Sequence, residues 1–207
     1  MRALRLRRLA LTQVVVALTL GAPAAAATPV HMIRDLSLEF VGQLQNSPAG
    51  VTPQTHIHYG YLSYVRGVNA FKGEPEDETT ALFTFYAAAT TVRVISNGPL
   101  RVITRLGTLT IYRAAATTAS FADPDTFRQG TPVLVATFRQ QAIVDSLTST
   151  FTTFHQNRIV STTPFAAGHT KVRLGQVGET FTTVFHGHNN MPGPPSGWFA
   201  GYAVSQR

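Results

Sequence analysis

The chain contains no cysteine. Disulfides, thiol catalysis and Cys-ligated metal sites are therefore excluded. Charge is sparse, with Asp, Glu, Lys and Arg making up 13% of 207 residues, and lysine occurs only at Lys72 and Lys171. No Gly-x-Ser-x-Gly elbow is present, so the common serine-hydrolase arrangement is absent. No segment sustains the 3.6-residue apolar period of an amphipathic helix. Beyond residue 27 no apolar run reaches the ~20 residues of a membrane-spanning helix. No internal repeat stands out.

What is present begins with a leader. Residues 1–27 carry Arg2, Arg5, Arg7 and Arg8, then an apolar stretch from Leu9 to Leu20, then Gly21 and a run of alanines broken by Pro23. A basic start, a short apolar centre and small residues for cleavage define a secretory signal peptide. The residues around Arg7-Arg8 match a twin-arginine signal poorly, so ordinary export is expected, to a secreted or periplasmic location. The preference for arginine over lysine, together with this leader, suggests a bacterial source. The whole chain has a formal charge of +7, but without the four leader arginines 13 basic and 10 acidic residues leave +3. That is an ordinary value, and no basic stripe indicates nucleic-acid binding. Arg93, Arg101, Arg105 and Arg113 are read as solvated residues along one hairpin.

Residues 28–207 read as a single all-β domain. The strongest signal lies between Leu82 and Arg113, where two alternating, β-branched runs flank Ser96-Asn97-Gly98-Pro99. Pro99 lacks an N–H, so a four-residue loop with Ile95 opposite Leu100 is expected. On the return strand Leu100, Val102, Thr104 and Leu106 are assigned to the buried face. A β-bulge at Gly107 is expected to transfer burial to Leu109 and Ile111. Further strands are expected over residues 33–41, 55–65, 133–144, 147–160, 171–175, 180–186 and 198–204. The stretch 114–120 reads as a linker or helical turn, and 72–78 as an acidic loop. Asp123-Pro124 starts a type I turn. Phe165 to Gly168 reads as a loop.

Long antiparallel strands joined by hairpins favour a single antiparallel, up-and-down β-barrel, with a two-sheet β-sandwich as the alternative. In general architecture the pattern resembles calycin and allene-oxide-cyclase barrels. That resemblance implies a closed sheet and carries over no site residue.

The polar residues with a suggestive pattern are histidines. His56-Ile57-His58 and His186-Gly187-His188 each place two imidazoles on one side of a strand. If the two pairs meet, His56, His58, His186 and His188 form a candidate site for a divalent Zn²⁺ or Cu²⁺. No cofactor is otherwise implied. No catalytic residue is assigned: Asp145, Ser146 and His155 lack an oxyanion-hole glycine, and Glu39, Asp145 and Glu179 are isolated in sequence. Alternating aromatics, among them Tyr59, Tyr61, Phe83, Phe85, Phe138, Phe151, Phe181 and Phe185, supply a core and could line a cavity. Three roles follow: binding of a small apolar or amphipathic ligand in the barrel interior, metal binding or metal-dependent catalysis, or a structural or adhesive role in the envelope.

Overall fold

The computed structural model describes residues 29–48, 50–114, 118–190 and 196–205. The leader, residues 115–117 of the expected linker, and residues 191–195 lie outside that range. The strands are β1 (Val30–Ile33), β2 (Ser37–Asn46), β3 (Thr55–Val65), β4 (Phe83–Asn97), β5 (Leu100–Ala114), β6 (Gly130–Asp145), β7 (Thr150–Thr162), β8 (Phe165–Ala167), β9 (Thr170–Leu174), β10 (Thr180–Asn189) and β11 (Ser196–Ser205). A short 3₁₀ helix, Pro124–Arg128, precedes β6.

Eight strands close into an antiparallel barrel in the order β10-β11-β2-β3-β4-β5-β6-β7, with β7 pairing back to β10. The sandwich is thereby set aside. Each strand neighbours the next in sequence except where β8 and β9 interrupt the path from β7 to β10. Those two strands pair with β1 in a separate sheet, β1-β9-β8, in which β1 and β9 run parallel. Ile33, Phe165, Val172 and Leu174 of this small sheet belong to the same apolar core as the barrel residues. The Phe165 ring lies edge-on to Phe83 at 5.3 Å. The small sheet thus closes one end of the barrel.

Period-two alternation dictates what faces inward. Phe40 and Leu44 of β2, Phe85 and Ala87 of β4, Leu109 and Ile111 of β5, Ala136 and Phe138 of β6, Phe151 and Ile159 of β7, Phe181 and Phe185 of β10, and Phe199 and Ala203 of β11 are all buried. Large rings are accommodated by glycines on neighbouring strands. A Cβ on Gly42 would come within 2.9 Å of both the Phe199 and Phe85 rings. One on Gly107 would reach Phe138 at 2.7 Å, and one on Gly187 would reach Phe151 at 2.5 Å. Pairing a large residue with a small one lets eight strands enclose a packed interior.

Tyr59 and Tyr61 face outward yet are buried. The segment 118–128 covers this part of the wall, where Ala119 and Phe127 pack with Tyr59, Ile57, Tyr86 and Phe121. The Asp123-Pro124 turn is realised as the start of the 3₁₀ helix, with the Asp123 carboxylate accepting the Asp125 N–H at 3.0 Å.

The hairpin at 82–113 differs from expectation in two respects. Asn97 is opposite Leu100, so the loop is the pair Gly98-Pro99. The closing N–H belongs to Leu100, not to Pro99, so proline is no obstacle. Gly98 has φ +57 at the first loop position, where a type II′ turn takes glycine. The buried face is also the other one. Pairing runs unbroken through Gly107, and the irregularities fall at Thr91/Arg93 and Ile111/Tyr112. Arg101, Ile103, Arg105, Gly107, Leu109 and Ile111 therefore share the inner parity, while Leu106 is 52% exposed. Replacing Leu109 by Asp should cost more than about 4 kcal/mol by burying an unpaired charge. Leu106→Asp should stay within about 0.5 kcal/mol, as at an ordinary surface position. Equal losses in urea denaturation would contradict this assignment of faces.

Candidate functional site

The barrel is filled unevenly along its axis. Toward the small sheet the interior is filled by apolar side chains, among them Phe83, Ile111 and Phe181. At mid-height four phenylalanines interlock: Phe40 with Phe85 at 5.1 Å, Phe40 with Phe185 at 5.4 Å, and Phe185 with Phe199 at 4.6 Å. Two imidazoles join this layer. His155 stacks on Phe138 at 4.5 Å and faces His58 at 5.5 Å, while His58 lies 4.8 Å from Phe199. Above the layer the interior opens into a cavity of about 520 Å³.

The cavity wall mixes both chemistries. Leu44, Val94, Ile103, Ala142, Val144 and Phe151 are apolar, and His56, His58, Arg105, Gln140 and Thr153 are polar. The mouth is formed by the β2–β3 loop, with Ser47, Gly50 and Gln54, and by Asp145, Ser146, Ser149, Asn190 and Ser196. Ser146 ties two of these edges together, its N–H and Oγ both donating to the Pro99 carbonyl, at 3.0 and 2.9 Å. The β4–β5 hairpin projects at this end, and Val92 to Asn97 are exposed on both faces.

A hydrogen-bond chain runs along one side of the cavity. Arg105 Nη2 donates to Asn46 Oδ1 at 3.3 Å, and Arg105 Nε donates to Thr91 Oγ1 at 3.3 Å. Because a guanidinium only donates, the Asn46 atom it meets is the acceptor oxygen. His56 Nδ1, 2.6 Å from the same oxygen, must then carry its proton. Burial first, then the charge of Arg105 and the electrostatic influence of His155, hold the His56 pKa well below its ordinary range, so the ring is neutral. Its Nε2 is thus an acceptor, and His58 Nε2, 2.7 Å away, donates to it. His58 is likewise held neutral, by burial first and then by His56, His155 and Arg105. The fixed tautomers leave His58 Nδ1 as a bare acceptor.

Arg105 is 7% exposed, and burial, then Arg101, push its pKa down to about 10, so it stays charged at neutral pH. No described carboxylate pairs with it. Gln140 and His155 are adjacent across β6 and β7. Neither amide atom of Gln140 and neither ring nitrogen of His155 meets a hydrogen-bond partner among the described residues. An unsatisfied buried polar group costs about 1–3 kcal/mol, so these groups are unfavourable as mere packing.

The structure separates the two His-x-His pairs. His56 and His58 point inward and are 4% and 1% exposed. His186 and His188 alternate with the inward positions Phe185 and Gly187, so they lie outside the wall and are exposed, with His186 Nδ1 hydrogen-bonded to Thr152 Oγ1 at 3.1 Å. The barrel instead brings His155 to His56 and His58. Among the described residues no group of three or more His, Cys, Asp or Glu is placed to hold a metal ion. Asp145 and Ser146 are engaged at the rim, the carboxylate accepting the Leu147 N–H at 2.9 Å, remote from any triad geometry with His155 in the central layer. Trp198 faces outward against Phe121 at 5.2 Å.

Two of the four hairpin arginines differ from the sequence reading, while Arg93 and Arg101 are exposed as expected. Arg105 is interior, Arg101 lines the mouth, and Arg113 stacks 4.8 Å above Phe83 while donating to the Leu82 carbonyl. Sequence reasoning missed Arg105 and Gln140. The available signal was unbroken alternation: Arg105 shares parity with Leu109 and Ile111, and Gln140 with Phe138 and Ala142.

The fold and site define a closed eight-stranded antiparallel barrel with a blind, mixed-polarity cavity. Compared with protein-family models, with curated proteins and with solved structures, the chain matches nothing. No helix among the described residues is long and apolar enough to cross a membrane.

Proposed function

We propose that this protein is an exported binding barrel that holds a small amphipathic molecule in the open half of its interior. The observation that carries this reading is the cavity of about 520 Å³, which ends on the central layer of phenylalanine and histidine rings. Its volume falls within the ~300–1,000 Å³ range of small-molecule sites, and its lining combines an apolar wall with a few convergent polar groups. A structural protein gains nothing from buried polar groups left without partners. A shared ion on the histidine pairs has less support, because His56 and His58 point into the barrel while His186 and His188 lie outside its wall. Export rests on the leader in residues 1–27.

Nile red, a neutral apolar dye, tests the cavity without reference to charge. Its fluorescence should rise and saturate at one dye per chain. Ala142 lies on the cavity wall, 3% exposed. Ala142→Phe should narrow the cavity and weaken the signal while the β-type circular dichroism is retained. Non-saturating uptake, or equal uptake by a folded Ala142→Phe variant, would overturn the reading.

A further inference from the structure

We infer that the ligand is a carboxylic acid, bound as its anion, with the carboxylate held by Arg105 inside the cavity and the hydrocarbon part against the apolar wall. This deepens the binding reading above and rests on it.

The argument begins with donors. A guanidinium has five N–H groups in a planar fork. Here one goes to Thr91 and one to Asn46, leaving three uncommitted among the described residues. A buried cation with no counter-charge is unfavourable unless something pairs with it. Among the described residues the one carboxylate on the cavity lining, Asp145, stands at the rim and is engaged by the Leu147 N–H. The interior therefore has a fixed positive charge with open donors, and the planar fork matches a carboxylate bidentately.

The surroundings select further. His56 and His58 are neutral, so they add no second positive charge beside Arg105. One buried charge suits a monoanion better than a phosphate dianion. Asn46 and Thr91 hold the guanidinium in place before any ligand arrives, which reduces the ordering cost of binding. Gln140 lines the same cavity with both amide atoms unpartnered, so it can donate its N–H₂ to a second ligand oxygen. Arg101, at the mouth, adds charge where an anion enters.

The test uses decanoate, decyl phosphate and decanol in calorimetric titrations at pH 7, with Nile red binding measured in parallel. Decanoate should bind wild type at least 10-fold more tightly than decanol. Arg105→Met should weaken decanoate at least 100-fold while leaving decanol and Nile red within about 3-fold. The unliganded Arg105→Met variant should melt at the same temperature as wild type or higher, because a buried unpaired charge has been replaced by an apolar side chain. Arg101→Gln should change decanoate binding less than 10-fold. If Nile red and decanol bind but decanoate has no advantage, or keeps it in Arg105→Met, the carboxylate assignment fails and the cavity reading stands. Tighter binding of decyl phosphate than of decanoate overturns the assignment in favour of a phosphate. If none of the four probes binds, both readings fail.

Discussion

Acidification from pH 7 to pH 4 should remove about 3 kcal/mol of folding free energy through His155 alone. His155 is fully buried between Phe138 and His58, and burial first, then Arg105, push its pKa from 6.5 down to about 3. The folded-state value is depressed, so between about 3 and 6.5 the unfolded chain binds the proton and the folded chain does not. Stability in that window rises with pH; it is complete above 6.5 and declines as pH falls toward 3. His56 and His58 act in the same direction, their pKa values also being held well below 6.5. For a chain of this size 3 kcal/mol corresponds to a fall in Tm of roughly 6–12 °C. His155→Phe keeps the stack on Phe138 and removes the titrating ring, so its stability should vary less with pH than that of wild type. Identical pH profiles for the two proteins would show that His155 is not neutral in the folded barrel.

Phe185→Ala should cost about 3–5 kcal/mol, the largest loss expected from truncating a single side chain. Its ring touches Phe40 at 5.4 Å, Phe199 at 4.6 Å, His58 at 5.5 Å and His155 at 5.1 Å. The ring bridges the phenylalanines and the histidines of the central layer, and its neighbours are on different strands and cannot all relax into the gap. Phe154, one position out of register with the interior on β7 and 39% exposed, is the control. Phe154→Ala should cost less than about 1 kcal/mol. Gly201 shows the same constraint from the other side. A Cβ there would sit 2.0 Å from the Val184 carbonyl oxygen and 2.6 Å from the Phe185 ring, so Gly201→Ala should be at least as damaging as Phe185→Ala. Similar denaturation midpoints for Phe185→Ala and Phe154→Ala would mean that the layer is not packed as described.

The strands were legible because alternation is a local signal. Residues 55–65 match β3, and the expected runs at 133–144 and 180–186 lie within β6 and β10. Closure was legible from strand length and hairpin spacing. The small sheet was not. Val30 to Ile33 and Phe165 to Ala167 are short, and Val30 to Ile33 pairs with a partner strand more than a hundred residues away along the chain, Lys171 to Leu174. The hairpin face was misassigned because both of its faces carry apolar residues: Leu100, Val102 and Leu106 on one, Ile103, Leu109 and Ile111 on the other. Only the neighbouring strands decide between them. The histidines were legible as a same-face pair, but whether that face looks at water or at a cavity depends on barrel closure. The same dependence hid Arg105, since an arginine in an alternating run reads as solvated until the opposite wall of the barrel is in place.

The two ends of the described chain meet at the closed end. Ser205 donates its N–H to the Leu36 carbonyl at 3.1 Å and its hydroxyl to the Arg34 carbonyl at 3.0 Å, and Ser37 pairs with Val204. The cavity mouth is a full strand length away, at the opposite pole. Any tether, affinity tag or fused domain attached through either end therefore leaves from the sealed pole. Immobilised in that way, on a chip or on a cell surface, the barrel stands with its opening directed outward, and access to the cavity does not depend on which end is used.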